Sequence, residues 1–365
     1  MSEAVRHHYE LYPYPHYPLL ASVRRCDTYA INLAALWARF NGELRPLNPG
    51  RILIAGCGSF APYPFAIANP HADIIALDLS DRSLKRARLH CLLHGCRNVT
   101  FRCGDLLDPA STNDRFDLID AFGVLHHLDD PLAGLRALRA RLVKGGIARV
   151  MVYSRYARRE EESIRRAFRL LGIHDPTTAR QLIGRSKPGS RLRRFIDASD
   201  EAAFESGLAD ALLHPSVHTF RIDGFMELIR HAGLQPLRFA HGNALEDVGQ
   251  EVERIRQLEK DRQSSGNFIL YLGHNAAGPC PDDAPSLLML NPCLSAEVRP
   301  VRIGTCSIPA RLGHPNQPLD RKERSFLRHF RRPRAWDELP PSSRQAATQY
   351  AKALFLLRFR QDGGM

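Results

Sequence analysis

Arg51-Ile-Leu-Ile-Ala-Gly-Cys-Gly58 decides the fold of this 365-residue chain. The apolar run 51–55 reads as a buried strand, and the glycines end it in a turn. Outward from it, short apolar runs alternate with longer amphipathic ones. Further strands are expected at 73–78, 98–103, 116–122 and 147–153. One helix starts at Ser80, with Leu84, Leu89, Leu92 and Leu93 on one face and arginines on the other. Another runs from Pro131 to Val143 and stops at Gly145-Gly146. A helix at 223–233, a strand at 234–240, a helix at 244–262 and a strand at 267–273 come next. Such alternation implies parallel pairing through right-handed crossovers. The fold class expected is α/β, a doubly wound sheet that the two late strands complete to seven, with a basic helical insertion over 155–215.

The glycines also carry a chemical meaning. In an open α/β sheet a nucleoside cofactor lies across the carboxyl ends of the first strands. A side chain there would collide with it, so the turn needs residues without Cβ. Asp78 ends the second strand, twenty residues after Gly58, where a carboxylate can accept both ribose hydroxyls. Gly56-Cys-Gly-Ser-Phe-Ala61 equally fits the glycine pattern of dinucleotide-binding proteins. The residues after the third and fourth strands have to separate the two readings.

Four stretches do so, in order: Ile52-Leu-Ile-Ala-Gly-Cys-Gly58, Ala76-Leu-Asp-Leu-Ser80, Cys103-Gly-Asp-Leu-Leu-Asp108, and Phe116-Asp-Leu-Ile-Asp-Ala-Phe-Gly-Val-Leu-His-His-Leu-Asp-Asp-Pro131 with Leu142-Val-Lys-Gly-Gly146. Over residues 50–275 the chain resembles the class I S-adenosylmethionine-dependent methyltransferases, which have a Rossmann-like sheet. The resemblance implies S-adenosyl-L-methionine as cofactor. It implies a binding set of Ala55, Gly56, Cys57, Gly58, Asp78, Leu79, Gly104, Asp105, Leu106, Phe122 and Gly123, with Asp78 on the ribose and Asp105 on the adenine amino group. Two positions depart from the pattern: Phe60 stands where the family usually has a third glycine, and Ile54 where it often has an acid.

Methyl transfer from a sulfonium is an in-line displacement, so the protein supplies alignment and, for some acceptors, a base. His126 and His127 follow the fourth strand, whose carboxyl end faces the sulfonium in this family, and are the candidate catalytic residues. His214 and His218, in Leu213-His-Pro-Ser-Val-His218, are candidates for the acceptor pocket. The segment His8-Tyr-Glu-Leu-Tyr-Pro-Tyr-Pro-His-Tyr-Pro18 reads as an extended arm, because its prolines exclude a helix or central strand. Similar stretches precede the catalytic domain in some methyltransferases. Tyr9, Tyr12 and Tyr14 are therefore candidates for a lid over the active site.

Residues 1–49 form the arm and a helix, 50–275 the catalytic domain, 276–290 a linker and 291–365 a small α+β unit. In that unit strands are expected near 297–303 and 307–312, and helices at 319–330 and 342–359, a spacing that resembles a winged helix. The net charge of +12 concentrates in the insertion and the tail. Arginine is abundant throughout, so a solvated face explains it, and nucleic acid as a partner is not favoured. None of the eight cysteines forms a CxxC pair; they read as small buried hydrophobes in a reducing compartment, with no metal site. No apolar run reaches membrane-spanning length and the N-terminus lacks a secretory core, so no membrane partner and a cytoplasmic location are expected. The function expected is methyl transfer to a small-molecule or peptide-like acceptor. The alternatives are an RNA or tRNA methyltransferase using the basic segments, and a non-catalytic binding protein.

Overall fold

The computed structural model describes residues 3–46, 49–199, 201–301, 304–313 and 315–360. Helix α1 (Glu3–Leu11) and α2 (Leu33–Asn41) precede the sheet. The arm is thus helical as far as Leu11, one turn beyond His8, because its first proline comes only at Pro13. Then come β1 (Arg51–Ala55), α3 (Pro62–Ala68), β2 (Asp73–Asp78), α4 (Asp81–Leu93), β3 (Val99–Cys103), β4 (Phe116–Phe122), α5 (Pro131–Arg141) and β5 (Leu142–Val152). The insertion holds α6 (Arg159–Leu170), α7 (Pro176–Arg185), α8 (Arg191–Asp197) and α9 (Glu205–Leu213). The domain closes with α10 (Ile222–His231), β6 (Gln235–Phe239), α11 (Val248–Lys260) and β7 (Phe268–Gly273).

The seven strands run in the order β3-β2-β1-β4-β5-β7-β6, with β7 antiparallel to both neighbours. The chain order reverses between β1 and β4, which opens the crevice at the carboxyl end of β1 where such sheets bind ligands. Strand alternation feeds two apolar layers. Ile52 and Ile54 face the layer of α2, α3 and α4, while Leu53 and Ala55 face that of α5, α10 and α11.

Several sequence expectations need correction. Helix α4 buries Ser83, Leu84, Ala87, His90 and Cys91, while Leu89, Leu92 and Leu93 are exposed. Small residues let it lie close to the sheet, and its inner face is one step off the leucine stripe. Helix α5 ends at Arg141, and Gly145-Gly146 lies inside β5, where the register with β4 shifts. Gly145 has φ +79°, which a strand tolerates there only as a bulge. The tail is a three-stranded antiparallel sheet of order β10-β8-β9, made of β8 (Ser286–Leu290), β9 (Arg334–Ala335) and β10 (Leu356–Arg360). It carries α12 (Arg321–Arg328) and α13 (Pro341–Lys352). The linker therefore ends before Ser286. Neither 297–301 nor 307–312 is a strand, and Arg302 and Ile303 lie outside the described residues. The long last helix is split at Leu354, whose φ of +60° turns the chain back into β10.

This tail is not a separate body. Leu288, Leu290, Leu327, Phe330 and Phe355 share one apolar core with Tyr29, Leu36 and Ile52. Asn291, fully buried, joins the halves: its Nδ2 donates to the carbonyls of Tyr29 (3.1 Å) and Leu354 (2.7 Å), and its Oδ1 accepts from Cys293 N (3.0 Å).

Candidate active site

The loop after β1 is built as the glycines require. Gly56 and Gly58 have φ of +64° and +55°, conformations that side chains rarely adopt. A Cβ on Gly56 would collide with Val124 Cγ2, and one on Gly58 would lie 2.5 Å from the Tyr14 carbonyl. Asp78 is buried at the end of β2. Its Oδ2 accepts from Gly58 N (2.7 Å) and its Oδ1 from Ser80 N (2.9 Å). Burial raises its pKa, and these backbone donors oppose the shift. Each oxygen keeps a lone pair, the acceptor pair a vicinal diol needs. Leu79, Leu106 and Cys57 are buried around the same strand ends, and Cys57 N donates to Leu77 O (3.0 Å). Gly104 N donates to Asp78 O (2.9 Å), and Asp105 Oδ1 accepts from Leu107 N (2.8 Å). Phe122 and Gly123 end β4, with the Phe122 ring exposed and Arg149 4.8 Å over it. These residues fit an adenosyl cofactor: a paired acid for the ribose, a second acid two strands from the loop, and an exposed ring between.

The arm lies across these strand ends. Ser59 N donates to Tyr14 O (3.1 Å), Ser59 Oγ to Pro15 O, and Ser80 Oγ to Tyr9 O (3.2 Å). Phe60, the departure in the loop, turns into an aromatic group with Tyr17 (4.4 Å between centroids), Tyr63 (6.0 Å) and His90 (5.1 Å). It anchors the arm.

Beyond the arm, β4, the insertion and α1 converge. The two candidate histidines have different surroundings. His126 is fully enclosed, stacked 3.7 Å from the Tyr153 ring, and neither ring nitrogen has a partner among the described residues. His127 lies 3.8 Å from the His214 ring and 6.3 Å from the Tyr9 ring. Its Nδ1 is 2.9 Å from Ser216 O. A carbonyl oxygen only accepts, so Nδ1 carries the proton and Nε2 the lone pair. His214 is fixed the opposite way: its Nδ1 accepts from Ser216 N (3.1 Å), which leaves the proton on a buried Nε2 that has no partner among the described residues. One residue, Ser216, thus sets both tautomers. Burial lowers the His127 pKa to about 3 and that of His214 further, so both are neutral.

Asp210, on α9, accepts from Tyr9 Oη (3.0 Å), and burial raises its pKa. His8, 4.8 Å from the His214 ring, has its pKa lowered to about 4 by burial. Donor atoms of His8, Asp210 and His214 lie within 4.8 Å of one another. The proton on His214 Nε2 suits that edge to a hydrogen-bonding ligand rather than a cation. Two arginines of the basic insertion also turn inward: Arg158 lies 4.0 Å over the Tyr153 ring, and Arg165 Nε donates to Ala211 O (2.6 Å). Tyr12 is half-buried, 5.4 Å from the His8 ring, on the side of Glu205 and Asp175. His218 is held by its backbone, which donates to His126 O (2.7 Å).

Residues 53–148 match the family described as "Methyltransferase domain". The chain is 30% identical over 301 residues to an uncharacterised protein of Synechococcus, covering 75% of this chain and 72% of that one. The chain belongs to the class I S-adenosylmethionine-dependent methyltransferases. It is also 32% identical over 123 residues to a ubiquinone biosynthesis O-methyltransferase of Cereibacter sphaeroides, covering 34% of this chain and 49% of that one. It spans about half the length of such relatives. In fold it is similar to PKMT2 of Rickettsia typhi, with a TM-score of 0.53 at 15% identity, over 94% of this chain and 77% of that one.

Of the residues gathered around His127 and His214, Asp210, Ser216, Tyr153, His8 and the two inward arginines are not singled out by the sequence. Only Asp210 has a signal there, as the one acid within the buried stretch Ser206–Leu212 of α9.

Proposed function

We propose that this methyltransferase transfers the methyl group to a small-molecule or peptide-like acceptor seated between His127, His214, Asp210 and Tyr9. The observation that carries the reading is the opposed tautomer pair: a lone pair on His127 Nε2 and an unpartnered proton on His214 Nε2, set by Ser216. Such a pair orients an acceptor that both donates and accepts a hydrogen bond. The loop Gly56–Gly58, Asp78 and Asp105 would hold S-adenosyl-L-methionine, which supplies the electrophilic methyl on sulfur. His127 Nε2 would hold the acceptor by its proton and take that proton as the methyl group leaves sulfur, while Asp210 holds the Tyr9 hydroxyl beside it. Tyr9 and the arm exclude water. The same proposal places the chain in the cytoplasm; none of its described helices is long and apolar enough to cross a membrane.

The second reading, RNA methylation, is favoured by one hollow of the tail lined by Arg328, His329, Arg331, Arg332 and Arg334. Calorimetry with S-adenosylmethionine and S-adenosylhomocysteine, and methyl transfer from labelled cofactor to fractionated metabolites, peptides and RNA, tests both. Binding with label in metabolites or peptides supports the proposal. Label in RNA, with affinity falling steeply with salt, replaces it with the second reading. Binding of neither cofactor form overturns both.

A further inference from the structure

Three potential metal ligands meet in the core that the tail shares with the N-terminal segment. Cys26 lies in the 3-10 turn Arg25–Ile31, Glu297 follows the turn Pro292–Leu294, and Cys306 pairs with Leu319 in an isolated bridge. All three are buried, at 1%, 5% and 4% exposure, and their ligand atoms lie within 4.8 Å of one another. We propose that Cys26, Glu297 and Cys306 form a structural site for a zinc-class divalent cation.

Three observations carry this. The first is the donor set. Two thiolates and a carboxylate suit zinc, whose Zn–S bonds of about 2.3 Å place neighbouring ligand atoms of a tetrahedron about 3.8 Å apart. The observed cluster needs only a small contraction. The second is electrostatic. Binding releases the Sγ protons of Cys26 and Cys306 to solvent, and two thiolates and a carboxylate around Zn²⁺ leave a single net negative charge. Arg24 is placed to offset it: its Nη1 is 3.9 Å from Cys306 Sγ, while its Nη2 holds Asp27 (2.7 Å) and Ser307 O (2.7 Å). Donors of this kind support the thiolates of structural zinc sites. A fourth position is open to water or to Asp27, whose Oδ1 lies 3.7 Å from Cys26 Sγ.

The third is the architecture. Between Leu294 and Arg321 the described residues contain no helix and no strand, only the bridge of Cys306 to Leu319. Irregular segments of this length inside a packed body are uncommon without a tie. The cluster joins this stretch at two points to the segment beneath it. The absence of a CxxC pair does not argue against this, because the ligands come from three distant parts of the chain.

The test uses the full-length protein purified without chelators. Mass-spectrometric metal analysis is expected to find about one zinc per chain. Cys26→Ser, Glu297→Gln and Cys306→Ser lower that content several-fold, and Cys280→Ser does not. In case a variant fails to fold, the wild type is stripped with a chelator and titrated with Co²⁺. A saturable thiolate-to-cobalt charge-transfer band, with proton release, is the expected result. Metal below about a tenth of an equivalent together with no cobalt band overturns the proposal. So does a band that persists in a folded C26S/C306S variant, or a Cys26–Cys306 disulfide in freshly purified protein.

Discussion

Asp78 and His127 show how burial sets the chemistry of single residues. A buried aspartate whose folded pKa is raised holds its proton more tightly in the folded chain than in the unfolded one. Its contribution to stability is therefore present at low pH and is lost as pH rises through the raised value. Cofactor binding has the opposite sign, because ribose hydroxyls donate to the ionised form. Affinity for S-adenosylmethionine is expected to fall as pH drops through a value above the ordinary 3.8. In Asp78→Asn an amide N–H₂ replaces one oxygen that accepts from Gly58 N or Ser80 N. Affinity should fall by about 10- to 100-fold, from a charged hydrogen bond of about 1.5–3 kcal/mol, and lose its acid limb. Calorimetry across a pH series checks this; an unchanged limb would remove Asp78 from the ribose. His127, with its pKa near 3, stays neutral through the working range. His127→Ala should lower turnover by roughly 10- to 100-fold and spare cofactor affinity. The wild-type profile should show no inflection near 6.5 from this ring; one that vanishes in the variant would show that it titrates there. That the glycines, Asp78, Asp105 and the paired histidines lie at the ends of β1 to β4 was legible in sequence, because each follows its own apolar run. Ser216 was not, and Asp210 only as the one acid of a buried helical stretch, since what brings them together is proximity to His127, His214 and Tyr9 from remote elements.

At the scale of elements, most strands were readable and the helix faces were less so. The strands of a buried parallel sheet announce themselves as apolar runs. Helix α4 misleads because its inner face holds one leucine, Leu84, among Ser83, Ala87, His90 and Cys91, while three leucines face outward. Helix α1 and the arm touch both parts of the candidate site. Their backbone hydrogen bonds to Ser59 and Ser80 and the Tyr9–Asp210 bond tie them to both halves of the site. At about 1 kcal/mol for each hydrogen bond, deleting residues 1–18 should weaken cofactor binding tenfold or more, read as a Kd by calorimetry. An unchanged Kd would make the arm a strap rather than a lid. Tyr9→Phe separates the two functions of α1. It removes the donor to Asp210 and leaves the Tyr9 carbonyl on Ser80, so turnover should fall several-fold while the cofactor Kd stays within about twofold. A Kd that rises with the fall in turnover would place the phenol in cofactor binding instead.

For the whole molecule, the composition change near 276–285 reads as a domain boundary, yet the apolar core crosses it. Linker composition reports local backbone preference, whereas the shared core depends on what the far side buries. Tyr29 shows the difference: its ring meets Phe355 edge-on at 5.2 Å, and its hydroxyl accepts from Arg311 N (3.0 Å). A fully buried aromatic or aliphatic side chain contributes about 1.5–3 kcal/mol, so several of them couple the tail to the sheet. Asn291 is the polar pin of that interface. Asn291→Ala leaves the Leu354 carbonyl and the Cys293 N–H without their partner in a dry core, and leaves Tyr29 O only its 3.4 Å bond from Asn32 N. At about 1–3 kcal/mol for each unsatisfied group, the loss should reach about 3 kcal/mol or more. Because both halves share the core, calorimetric unfolding should remain a single transition at a lower Tm. A second transition, with the catalytic half melting as before, would mean that the tail folds on its own and that the common core does not couple them.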